Sequence, residues 1–292
     1  MDSKIRLVLD AQAALGEGAL WDARRQVLYW VDILGKSLHV FDPGTGNDRQ
    51  IDVGQAIGTV VARRQGGVMV AVYDGFAALD LATGKLDVIA DPEADLPDTR
   101  FNDGKCDPAG RFWAGTMSLK GVKQAGSLYC LDVDHSVRRM VTGVTTSNGI
   151  VWTSDRRTMY YIDTPTREVA AFDYDDATGN ITNRRVACRF TEEQGSPDGM
   201  TIDAEDKLWI AHWDGWQVSR WDPRTGQMLG SIAVPVARVT SCAFGGPDLA
   251  TLYITTARPA ANDPRRAEQP QAGGLFAIQP GVQGVPATEY GG

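Results

Sequence analysis

The chain has 292 residues, 43% hydrophobic and 23% charged, and its 37 acidic and 29 basic side chains give a net charge of −8; this composition can fill a core and excludes a disordered chain. No run of Lys and Arg exceeds two residues, so the basic stripe needed for nucleic acid or an anionic membrane surface is missing. No apolar run approaches the roughly 18–20 residues of a membrane span, and residues 1–10 lack a signal-peptide centre, so the expected location is cytoplasmic.

In chain order, IRLVLD (5–10) comes first and has no partner nearby. A triplet of short strand-like runs then returns six times. The first copy is GALWD (18–22), LYWVD (28–32) and LHVFD (38–42); the second is GTVVA (58–62), VMVAVY (68–73) and FAALD (76–80). The third is GKCD (104–107), RFWAGT (111–116) and LYCLD (128–132); the fourth is GIVWT (149–153), MYYIDT (159–164) and VAAFD (169–173). The fifth is GMTID (199–203), LWIAHW (208–213) and VSRWD (218–222); the sixth is SCAFG (241–245), LYITTA (252–257) and the degraded GGLFAIQP (273–280). Four of the copies are followed by Thr-Gly, at 45–46, 83–84, 178–179 and 225–226. The runs are aromatic and β-branched and are bounded by turn residues, as strands are.

The repeat predicts an all-β, six-bladed β-propeller of four-stranded antiparallel blades, one domain over 1–292. The N-terminal segment, about 4–10, is expected to pair with 274–280 and close the last blade. A ring leaves no long exposed strand edge, and a β-sandwich gives no reason for six copies in phase. The stretch 257–274, rich in Pro, Ala and charge, reads as a surface loop. Cys106, Cys130, Cys188 and Cys242 follow no CxxC spacing, so a zinc knuckle or disulfide framework is not expected.

In a propeller the first strand of each blade is innermost, and the starts of these strands crowd around one channel mouth. At that position stand Glu17-Gly18, Asp103-Gly104, Asn148-Gly149 and Asp198-Gly199, with Gly58 and residues 240–242 in the other two blades. Each dipeptide alone is an ordinary turn signal; the shared phase is what brings these oxygen-bearing side chains together. Buried carboxylates facing one another repel unless a cation joins them. Oxygen donors suit Ca²⁺, Mg²⁺ or Mn²⁺, with Zn²⁺ also possible, and the lack of His in the set argues against a three-His zinc site. Arg100 and Asn102, just upstream of a first strand, should overhang this mouth; the plainer alternative for Arg100 is a surface pairing with Asp95 or Asp98. His212, Trp213 and Trp216, expected at the end of the fourth blade's second strand, are candidates for its wall. No G-x-S-x-G, P-loop or G-x-G-x-x-G motif is present.

LGEGALWD (15–22), RFNDGKCDPAGRFWAGTM (100–117), SNGIVWTSD (147–155), FDYDDATGNITNRR (172–185), PDGMTIDAEDKLWIA (197–211) and TSCAFGGPDLATLYITTAR (240–258) resemble the SMP-30/gluconolactonase family. The resemblance runs almost end to end. It implies a six-bladed propeller with one catalytic divalent metal that hydrolyses aldonolactones to aldonic acids. It further implies Glu17, Asn148 and Asp198 as metal ligands, Asp198 also as acid/base, and Arg100 and Asn102 as substrate contacts. Phase alone points to Asp103, whereas the family uses its neighbour Asn102, leaving Asp103 structural. Where the regucalcin branch has a longer, acidic lid whose Glu contacts substrate, this chain has SLKGVKQAGS (118–127), with Lys120 at the matching count.

The expected partner is therefore a small sugar lactone, with no nucleic acid or membrane. A promiscuous metal-dependent esterase or phosphotriesterase is the alternative, and a non-enzymatic calcium-binding regulator a further one. No heptad or apolar stripe indicates an oligomer.

Overall fold

A computed structural model of the chain describes residues 4–292. Its strands form six four-stranded antiparallel sheets arranged as a six-bladed β-propeller. The innermost strands are Gly16–Asp22, Ile57–Ala62, Thr99–Cys106, Ser147–Trp152, Ser196–Ile202 and Val239–Gly245, buried along all or nearly all of their length. Outermost strands such as Asn47–Asp52 and Gln227–Ala233 are largely exposed. A strand covered on both faces cannot alternate apolar with polar, which is why runs such as GTVVA carry no solvent-facing positions.

Aromatic pairs fill the space between blades. Trp113 of blade three meets Trp152 of blade four edge-on at 5.8 Å, and Trp209 of blade five meets Phe244 of blade six at 5.6 Å. Trp21 of blade one stacks on Tyr253 of blade six at 5.9 Å, so the contact also crosses the junction between the two ends of the ring. At that junction Arg6–Leu9 supplies the outermost strand of blade six. It pairs antiparallel with Leu275–Ile278, Leu7 opposite Phe276.

The second strand Leu208–Trp213 belongs to blade five, not blade four, because the complete blade of Ser147–Arg189 precedes it. The segment 257–274 is largely exposed between 260 and 268, includes one helical turn at Arg265–Glu268, and is anchored by buried Gln269, whose Oε1 accepts the Ala237 N–H at 2.7 Å. All four cysteines are buried and unpaired. Among the described residues no helix is long and apolar enough to cross a membrane.

One irregularity recurs in every blade. The pairing of the innermost strand with the second slips register near its start, after Glu17, Ile57, Phe101, Ser147, Pro197 and Val239. A bulge opposes two residues to one and re-aims the side chains it carries. Here the six bulges form a ring around one mouth of the channel.

Candidate metal and substrate site

The bulges bring Glu17, Arg100, Asn102, Asp103, Asn148 and Asp198 together, all buried. The glycine after Glu17 has a structural reason: Gly18 has φ +59°, a left-handed conformation that disfavours a side chain. Its N–H donates to Glu17 Oε2 at 3.0 Å, turning the carboxyl toward the axis. Gly104 N–H does the same for Asp103 Oδ1 at 2.7 Å. In blade two, where Gly58 holds the equivalent position, a Cβ would lie 2.3 Å from the Asn102 carbonyl oxygen. That blade gives up a side chain so that its neighbour can approach.

A chain of hydrogen bonds orients the amides. Arg100 donates through one terminal nitrogen to the Phe101 carbonyl at 2.8 Å and to Asn102 Oδ1 at 2.7 Å. Asn102 Nδ2 donates to the Ser147 carbonyl at 2.7 Å and to Asn148 Oδ1 at 3.0 Å. Asn148 Nδ2 in turn donates to Thr164 Oγ1 at 2.7 Å. The Thr164 hydroxyl gives its own proton to the Pro197 carbonyl at 2.8 Å, so toward Asn148 it can only accept. This fixes the Asn148 amide with Oδ1 on the Asn102 side, one lone pair still open, and ties it to the residue preceding Asp198.

The electrostatics are those of crowded, dry acids. Burial, then repulsion from Asp103, pushes the Glu17 carboxyl up to about 8. Burial raises Asp198 well above the usual carboxylate range, with Glu17 and Asp103 adding to it. The Glu17 and Asp198 carboxyls lie close enough to perturb each other. Asp103 is also raised by burial, though Lys105 and the Gly104 N–H oppose the shift. Arg100 is pulled down to about 10 by burial, and Glu17 holds it from falling further.

This donor set fits a hard divalent cation. Two buried carboxylates that repel each other, beside an amide oxygen fixed in orientation, give three oxygen donors and no nitrogen. Among the described residues no three Asp, Glu, His or Cys side chains form a metal-binding group of their own; the Asn148 amide oxygen is a further oxygen donor at this mouth.

The remaining candidates separate clearly. Arg100 is buried against Asn102 and pairs with neither Asp95 nor Asp98. Lys120 points away, its Nζ 2.6 Å from Asp98 on the surface. His212 is packed, donating through Nδ1 to the Gln194 carbonyl at 2.8 Å and accepting at Nε2 from the Ser219 hydroxyl, and its ring is pushed down to about 4 by burial. Trp213 lies under the Arg238 guanidinium at 4.7 Å, and Trp216 is exposed. Two residues had no sequence signal, Thr164 and Glu93. Glu93 lies in the segment before Thr99, where its Oε1 accepts from Thr116 and Tyr129 at 2.9 and 3.0 Å and its Oε2 is buried without a partner. With Arg100, Tyr73 and Asp74 it lines a cavity of about 100 Å³.

Comparison with known proteins identifies the family. The model of the SMP-30/gluconolactonase/LRE-like region matches residues 15–258. A Bacillus subtilis (strain 168) protein named "Putative sugar lactone lactonase YvrE" is 43% identical over 286 residues, covering 98% of both chains. Regucalcin of Xenopus laevis is 39% identical over 295 residues, covering 99% of both. The crystal structure of a calcium-binding protein, regucalcin, from Agrobacterium tumefaciens str. C58 superposes with a TM-score of 0.93 at 30% identity, covering 98% of this chain and 97% of that one. The chain belongs to the SMP-30/gluconolactonase/LRE-like family.

Proposed function

We propose that the protein hydrolyses an aldonolactone to the aldonic acid, using one divalent cation held by Glu17, Asn148 and Asp198. The observation that carries this reading is the meeting of two buried carboxylates, an oriented amide and a buried arginine at one channel mouth. The lactonase relative supports the substrate class, and the calcium-binding neighbour supports a divalent ion. Oxygen donors favour Ca²⁺, Mg²⁺ or Mn²⁺ and tolerate Zn²⁺.

When bound, the cation supplies Lewis-acid polarisation of the lactone carbonyl and lowers the pKa of a neighbouring water. The rest falls to the chain. Asp198 takes a proton from the attacking water as its oxygen joins the carbonyl carbon. It returns that proton to the ring oxygen as the C–O bond breaks, so the product is a hydroxy acid and nothing else is consumed. This role requires one Asp198 oxygen free for the proton. Arg100 has N–H groups beyond those bonded to Phe101 and Asn102, and these face the sugar oxygens and the charge that develops on the carbonyl. Asn102 acts more narrowly. Both its N–H groups are spent on Ser147 and Asn148, so it meets substrate only through Oδ1 and otherwise holds Arg100 and Asn148 in place.

The test is acid release from a panel of aldonolactones, with paraoxon and an aryl ester alongside, by protein stripped with chelator and reloaded with each metal. Lactone opening well above the spontaneous rate, restored by metal, is expected. Faster hydrolysis of paraoxon or the aryl ester would favour the esterase reading. Stoichiometric metal binding with no turnover would favour a calcium-binding role, in line with the relatives named regucalcin.

A further inference from the structure

On the same face as Glu17 a cleft of about 330 Å³ opens between Leu15, Trp213, Arg238, Arg258 and Arg266. Leu15 stands two residues before Glu17, and Trp213 pairs across the ladder with Ser196, two residues before Asp198. Two residues of strand span about 7 Å, so Leu15 and Trp213 put the wall of the cleft within about that distance, along the strands, of the levels of the two acids, a reach comparable to a six-carbon sugar acid.

Its charge is out of character for an acidic protein. Arg258 donates to Gln12 Oε1 and Arg266 to the Pro259 carbonyl at 3.3 Å, and among the described residues neither has a carboxylate partner. Both are only half exposed. Arg238 rests on the Trp213 ring with its Nε buried and unbonded, and its nearest carboxylates, Asp214 and Asp263, stand 3.8 Å away. Those two acids are engaged by Arg265, at 3.3 and 2.7 Å. Arg258 and Arg266, partly desolvated and without a carboxylate partner, favour an anion, which guanidinium groups bind through paired N–H donors.

We propose that this arginine cleft receives an anionic group at the far end of the substrate, so that the preferred lactone carries a phosphate or a second carboxylate. The lactone identity rests on the function proposed above; the anion site does not. A neutral lactone leaves Arg258 and Arg266 facing water, whereas an anionic one gains charge-assisted hydrogen bonds from both.

The experiment compares specificity constants for glucono-lactone, 6-phosphoglucono-lactone and a glucaro-lactone in wild type, Arg258→Gln/Arg266→Gln and Arg265→Gln. The wild type should prefer an anionic lactone by about tenfold or more. The double variant should lose that preference, and Arg265→Gln should keep it. Which anion is favoured separates phosphate from carboxylate. Equal use of neutral and anionic lactones by the wild type, a preference that survives the double substitution, or an equal loss in Arg265→Gln overturns the proposal. Should no lactone be opened at all, the proposed function fails, and the cleft is judged by calorimetric titration of chelated protein with 6-phosphogluconate and glucarate. Binding weakened about tenfold by the double substitution supports the cleft; no binding, or binding unchanged by it, overturns it.

Discussion

At one mouth of the channel, the starts of the inner strands gather Glu17, Arg100, Asn102, Asn148 and Asp198. At the other, their ends gather Trp21, Trp152 and Phe244 with the tail residues Val285 and Pro286, around a cavity of about 370 Å³. Lys105 stands between them, its Nζ donating across the channel to the Met200 carbonyl at 2.7 Å. The second mouth is roomy and lined by a mix of aromatic, apolar and charged side chains, the first tight and charged. They differ because the ladder pairs regularly at the strand ends, Trp21 opposite Leu28 for example, while every inner strand bulges near its start. Regular pairing sends side chains into the packing between blades; the bulges turn them to the axis. Cavity size is therefore a poor guide here, and backbone irregularity a good one.

The difference can be broken by substitution, most severely at Asp198. Asp198→Asn keeps the shape and removes the proposed base, so turnover should fall by about 10²–10⁴ while some metal affinity remains. Unchanged turnover would move the chemistry elsewhere. Thr164→Val removes the hydroxyl that orients Asn148 and should weaken metal binding about 10–100-fold, with Thr164→Ser restoring it. Equal affinity in all three proteins would reduce Thr164 to packing.

Protonation sharpens the contrast further. In chelated protein Glu17 and Asp198 titrate above their unfolded values, so between about pH 4 and 8 the folded state holds protons that the unfolded chain has released. Stability of the chelated protein should accordingly fall as pH rises through that window, and added Ca²⁺ should reverse the fall. His212 works in the opposite sense: pushed down to about 4, it stays neutral while the unfolded chain protonates below about 6.5, so it removes stability as pH drops. Melting temperature against pH, with and without Ca²⁺, separates the two. The smallest effect belongs to the other mouth, where Ser154 bonds only Asp206 at the surface, at 2.9 and 2.8 Å. Ser154→Ala should change stability by no more than about 0.5 kcal/mol and leave turnover within about twofold.

Much of the fold can be read from the chain because each blade repeats its own strands, and short aromatic runs in phase admit few other architectures. The inner positions are legible for the same reason, since a glycine follows Glu17, Asp103, Asn148 and Asp198 alike. Phase could not choose between Asn102 and Asp103, because the bulge after Phe101 turns both inward. Thr164 follows a second strand in a short 3₁₀ turn and Glu93 sits in a connecting loop; neither position carries a period. The arginine cleft draws on residues from four distant segments, so no local pattern announces it.

The central claim is that Glu17, Asn148 and Asp198 hold one divalent ion. Calorimetric titration of chelated protein with Ca²⁺ and Mn²⁺, in wild type and in Glu17→Gln, tests it most directly. One site per chain that weakens at least about 100-fold in the variant is the expected result. A variant that binds as the wild type does, or a wild type that binds neither ion, would contradict it.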